Sequence, residues 1–84
     1  MSFDEEKTRD IVKALIAEQL NVSVDKVKSD DTFESLGADS LDRVEIVMKL
    51  EEHFNIEIND ADAESIKTVN QLADYVVNRI DAKS

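Results

Sequence analysis

Apolar residues recur at three- and four-residue spacing in three stretches of this chain, and that period makes helices, not strands, its main elements. In the first stretch Phe3, Ile11, Val12, Leu15, Ile16 and Leu20 share a face, which predicts a helix from Phe3 to Leu20. Asp4, Glu5 and Glu6 stand in its opening turn, where the helix dipole favours anions. The second helix is predicted to start at Asp39 or Ser40 and run to Phe54, with Asp39 as N-cap and Asp42 as its return partner. The last runs from Thr68, its cap, to Ile80, with Val69, Leu72, Ala73, Val76 and Ile80 facing the core. A short turn or helix is expected around Asp60 to Ser65. Alternation of period two is confined to Asn55–Asn59, too short to define a sheet. The fold class is all-α, a small bundle of three longer helices in a single domain, with no linker, repeat or low-complexity segment.

Between the first two helices, Asn21 to Asp39 has weak periodicity, holds the only glycine, and reads as a long loop pinned by Val24, Val27, Phe33 and Leu36. Loops of this length are uncommon in compact domains and are often functional. This one leads into Gly37-Ala38-Asp39-Ser40.

Charge and composition narrow the function. The 84 residues hold 20 acids against 10 bases, a net charge of -10. Such a chain is repelled by nucleic acid and anionic lipid, and is attracted to partners with basic surfaces. There is no cysteine, hence no thiol or disulfide, and with one histidine the usual structural zinc sites are excluded. The acids at Asp30-Asp31 and at Asp60, Asp62 and Glu64 suggest calcium loops, but counting from Asp31 puts Phe33 at the third position and Gly37 at the seventh, so the pattern fails; no resident metal is expected, and loose cation binding that relieves repulsion stays open. One glycine and no proline leave little for a phosphate-cradling loop. No apolar run approaches the ~18 residues of a membrane span, so no membrane insertion is expected. The opening MSFDEEKTRD lacks a signal-peptide apolar stretch, which predicts a cytoplasmic location. A small acidic module acted on by other proteins fits better than an enzyme.

On an ideal wheel with Ser40 at zero, Ile46, Val47, Leu50 and Phe54 fall within about 240–340°, an ordinary core stripe. Leu41, Val44 and Met48 form a second stripe at about 40–100°, flanked by Glu45, Glu51 and Glu52. That stripe is either buried against another helix or left open as a docking strip with an acidic rim. Arg43 falls inside the core stripe, and its charge is expected to snorkel out while its stem packs. Ser40 is either a cap serine or an exposed hydroxyl that accepts a covalent group. His53 lies over three turns away on the same helix, so no serine–histidine pair forms, and Ser40 is expected to be a substrate for another enzyme and not a catalytic nucleophile.

The run Leu36-Gly37-Ala38-Asp39-Ser40-Leu41-Asp42, followed by Val44-Glu45-Ile46-Val47-Met48 and Leu50-Glu51-Glu52-His53-Phe54, resembles the acyl carrier proteins of dissociated fatty acid synthesis. Asp31-Thr32-Phe33, Ile56-Glu57-Ile58 and Thr68-Val69 extend the likeness over essentially the whole chain. The resemblance implies a four-helix bundle with a short third helix. It implies that Ser40 carries 4'-phosphopantetheine, transferred from coenzyme A by a phosphopantetheinyl transferase, with Asp39 in the modification motif. The arm would supply the thiol that the chain lacks, and would hold growing acyl chains as thioesters for fatty acid synthase enzymes. Leu41, Asp42, Val44, Glu45, Met48 and Glu52 match the face that meets the basic docking patches of partners. Ile58 and Ala63 match positions at the acyl cavity mouth or partner face. A monomer is expected. Two departures stand out: Arg43 replaces a frequent threonine, and Asn59 replaces a frequent proline, which is expected to loosen the third helix. Two other readings stay open, a specialised carrier for polyketide, lipid A or D-alanyl transfer, and an acidic helical adaptor that is never modified.

Overall fold

Five turns of the chain open with the same local device, a side chain accepting from the backbone N–H three residues on. Asp4 does so for Lys7 at 3.0 Å, Thr32 for Ser35 at 2.9 Å, Asp39 for Asp42 at 2.8 Å, Asn59 for Asp62 at 2.8 Å and Thr68 for Gln71 at 3.1 Å. Four of these start the four α-helices of the computed structural model, which describes residues 4–83. They are α1 (Glu5–Leu20), α2 (Ser40–Phe54), α3 (Asp60–Ser65) and α4 (Val69–Lys83). Phe3, read as the start of the first helix, lies outside the described residues. The expected ends at Leu20 and Phe54 hold because Asn21 and Asn55 take left-handed φ of 57° and 55°, each stopping its helix as a C-cap.

α1 packs against both α2 and α4. The core is a single aliphatic cluster: Val12 and Ile16 of α1, Ile46 and Leu50 of α2, and Val69, Leu72 and Val76 of α4 are all at most 1% exposed. Ile11, Leu15, Val47, Phe54 and Ile80 pack more loosely, half-buried. Across the outer faces of α1 and α4, Arg9 of α1 donates to Asp74 Oδ1 at 2.5 Å and Asn70 Oδ1 at 3.2 Å, and pairs with Glu5.

The segment between α1 and α2 holds more structure than a bare loop. It forms a 3₁₀ turn at Val24–Lys26 and is stitched to the start of α4: Phe33 N donates to Lys67 O at 3.1 Å, Val69 N to Asp31 O at 3.0 Å and Asn70 N to Ser29 O at 2.9 Å. Thr32 and Thr68 form an isolated antiparallel bridge. Val27 and Phe33 are buried and Leu36 half-buried as expected, but Val24 is 46% exposed and pins nothing. Asn55–Asn59 pairs with no strand; its alternation sends Ile56 and Ile58 into the core.

Candidate functional site

Gly37, Ala38 and Asp39 aim the chain into α2. Gly37 has φ +81°, a conformation that costs side-chain-bearing residues, and it closes the turn that begins at Glu34. Asp39 then caps α2 in a full capping box, accepting from Asp42 N while its own N–H donates to Asp42 Oδ2 at 3.3 Å. Because two aspartates do the capping, the adjacent Ser40 is spared that task. Ser40 is exposed, and its side chain projects from the first turn of α2.

A cavity of about 530 Å³ opens beside Ser40 and runs inward between α2 and α3. Val44, Val47 and Met48 of α2 form one wall, Ile58, Ala63 and Ile66 the other, and Ile46 and Leu72 lie at its inner end. The volume falls within the roughly 300–1,000 Å³ of ordinary small-molecule sites. Arg43, Glu51, Asp60 and Glu64 supply the charged groups of its lining. The lining is thus a slot, mainly apolar with a few charged groups, of a kind that suits a hydrocarbon chain.

The second apolar stripe is not buried against a neighbouring helix. Leu41, Val44 and Met48 are 65%, 54% and 52% exposed, the most exposed large apolar residues described. Together they form an apolar row along the outer face of α2. Glu52 is exposed beside it. Asp42 and Glu45 are half-buried, and Gln19 of α1 donates to both carboxylates, at 3.4 Å to Asp42 Oδ1 and in a shorter contact to Glu45 Oε2. Glu51 serves the fold instead of the rim: its Oε2 accepts from Ile58 N at 2.9 Å and ties the α2–α3 connection to α2.

Ile58 is 5% exposed, so it belongs to the cavity wall and not to an outer face; Ala63, half-buried, also lines the cavity. Asn59, expected to loosen the third helix, stands as its N-cap and accepts from Asp62 N. Arg43 departs from expectation. Its charge does not snorkel to water: Nη2 donates to Ala63 O and Ile66 O, both at 3.0 Å, and the guanidinium lies 5.7 Å from the Phe33 ring centre. On the opposite side of α3, Tyr75 Oη donates to Asp62 Oδ2 at 2.7 Å and accepts from Arg79 Nε. Burial first, then that bond to Asp62, raises the Tyr75 phenol above its ordinary value. His53 is exposed and packs edge-on against Phe54.

Residues 10–76 match the family described as "Phosphopantetheine attachment site". The chain is 57% identical over 70 residues to an acyl carrier protein of Sulfurovum sp., covering 82% of this chain and 93% of that one. It is 56% identical over 66 residues to an acyl carrier protein of Bdellovibrio bacteriovorus, covering 77% and 85%. Its fold superposes on the acyl carrier protein of Thermotoga maritima with a TM-score of 0.82, at 26% identity over 95% of this chain and 94% of that one. The corresponding protein of Enterococcus faecalis gives 0.75, at 33% identity over 92% and 99%. These likenesses define a carrier and not a catalyst. The chain belongs to the phosphopantetheine-bearing acyl carrier family, and its cofactor is covalent 4'-phosphopantetheine. An exposed serine at the mouth of an apolar slot fits that group: there is room for the arm outside, and for its cargo within.

Proposed function

We propose that Ser40 is the attachment residue, and that the chain carries growing acyl groups of fatty acid synthesis as thioesters on the arm. The observation that carries this reading is the position of Ser40, exposed and free of capping, at the mouth of the slot between α2 and α3. Its Oγ supplies the oxygen of the phosphodiester, and the arm supplies the thiol that a cysteine-free chain lacks. Asp39 holds the turn in which a transferase meets Ser40. Ile58 and Ala63 shelter the chain between reaction steps.

Partners with basic docking patches are read as landing on Leu41, Val44 and Met48, with Asp42, Glu45 and Glu52 as the acidic surround. Gln19 fixes the Asp42 and Glu45 carboxylates before a partner arrives, which lowers the ordering cost of docking. Residues 1–84 act as one carrier domain, a monomer in the cytoplasm; among the described residues no helix is long and apolar enough to cross a membrane. The test is chain extension. Acyl and malonyl forms of the protein, mixed with the condensing and reducing enzymes of a dissociated fatty acid synthase, should yield protein-bound chains that grow by two carbons per cycle. Failure to extend, where a fatty acid carrier extends in the same mixture, would point to the specialised-carrier reading.

A further inference from the structure

α3 is held unlike the other helices. None of its six residues is buried, and all three of its charged residues, Asp60, Asp62 and Glu64, are acids. The residues just outside it, Ile58 and Ile66, are buried at 5% and 7% exposure and anchor its two ends. Between those anchors, two side chains tie α3 to the rest of the fold by hydrogen bonds among the described residues. Tyr75 holds Asp62 from the α4 side, and Arg43 holds the carbonyls of Ala63 and Ile66 from the α2 side. Only the second lies on the slot: Arg43, Ala63 and Ile66 line it, whereas Tyr75 and Asp62 do not.

We propose that Arg43 is the latch of the slot, the positioning residue that sets how far α3 swings from α2 and so how firmly an acyl chain is kept inside. The chemistry suits a latch. The carbonyls of Ala63 and Ile66 stand in the last turn and at the C-cap of α3, where helix carbonyls lack intrahelical partners and the dipole is negative. One guanidinium reaches both, while its planar face rests near Phe33, which is buried and fixed. Breaking the clasp exposes a cation and two carbonyls to water at modest cost, so the latch opens without unfolding the core. With Arg43 released, Tyr75 still holds the far side, and α3 turns about that side to widen the slot. This inference rests on the proposed acyl-carrying role of the slot, but the latch itself is testable without a cargo.

The test uses the full-length protein carrying its arm. Arg43→Met keeps the stem and removes the donors; Arg43→Lys keeps a charge and donors on a shorter reach. Amide exchange is followed at Ala63 and Ile66, whose N–H groups donate to Asn59 O and Asp62 O, and at Val12 and Val76 in the core. The expected result is exchange at least tenfold faster at Ala63 and Ile66 in Arg43→Met, unchanged rates at Val12 and Val76, and partial recovery in Arg43→Lys. The octanoyl form of Arg43→Met should also lose its thioester to hydroxylamine several-fold faster than the unaltered octanoyl protein. Unchanged exchange in α3, or equal acceleration in α3 and the core, overturns the latch. If the unaltered octanoyl protein is cleaved as fast as octanoyl-pantetheine, the sheltering role of the slot falls instead, and the exchange result alone decides the latch.

Discussion

Loading an eight-carbon acyl chain onto the arm is expected to raise the melting midpoint by about 10 °C. The slot of about 530 Å³ is already open beside Ser40, walled by Val47, Ile58, Ile66 and Leu72, so the chain enters an existing apolar space. Six buried methylenes at ~0.8 kcal/mol each give at most ~5 kcal/mol. Ordering the chain and adjusting the walls subtract from this, leaving about 1–3 kcal/mol. In a domain of 60–100 residues each kcal/mol moves the midpoint by about 4–8 °C. Calorimetric melts of the thiol form and of its four-, eight- and sixteen-carbon thioesters are the assay. The midpoint should climb with chain length until the slot is full, and Ala63→Leu, which thickens one wall, should bring the plateau at a shorter chain. Equal midpoints for the thiol and eight-carbon forms would refute the reasoning and place the chain in water.

Glu45→Lys should slow association with a phosphopantetheinyl transferase and weaken its salt dependence, whereas Met48→Ala should speed dissociation; stopped-flow binding separates the two, since rim charges act on encounter and the apolar centre on residence. The Tyr75 phenol has a native pKa raised above the ordinary 10.0 by burial and by its bond to Asp62, so its stabilising contribution is complete below about pH 10 and is lost as pH rises through the raised value. Denaturant titrations should show that alkaline decline in the unaltered protein, and a flatter curve in Tyr75→Phe. Asn59→Ala removes the α3 cap and should cost about 1 kcal/mol, read as faster amide exchange at Asp62, the amide that Asn59 accepts from.

Helix placement was legible because it rests on local rules. Asp39 with Asp42, and Thr68 as cap, are signals spanning three residues, and the core stripes of α2 and α4 follow from period alone. The same rule makes Asn59, three residues before Asp62, readable as a cap. The stops at Asn21 and Asn55 were also available, since asparagine tolerates left-handed backbone better than most residues. The site's exposed stripe was visible as a second apolar face, but sequence could not choose between burial and exposure, because that depends on where α3 and α4 lie. What escaped was tertiary. Arg43 reaches carbonyls 20 and 23 residues away, Gln19 reaches acids 23 and 26 residues away, and Glu51 holds an amide seven residues on across a connection of irregular shape. Hydrogen bonds to backbone carbonyls or amides leave no mark in residue type at the accepting or donating end.

One measurement decides where the arm is attached. Unmodified protein, incubated with coenzyme A, Mg²⁺ and a phosphopantetheinyl transferase, should gain the mass of one phosphopantetheine by intact mass spectrometry, and fragmentation should place it on Ser40. Ser40→Ala should gain nothing while keeping its helical circular dichroism, since Asp39 and Asp42, not Ser40, cap α2. Modification that survives in a folded Ser40→Ala protein, or that maps to another serine, would contradict the central claim.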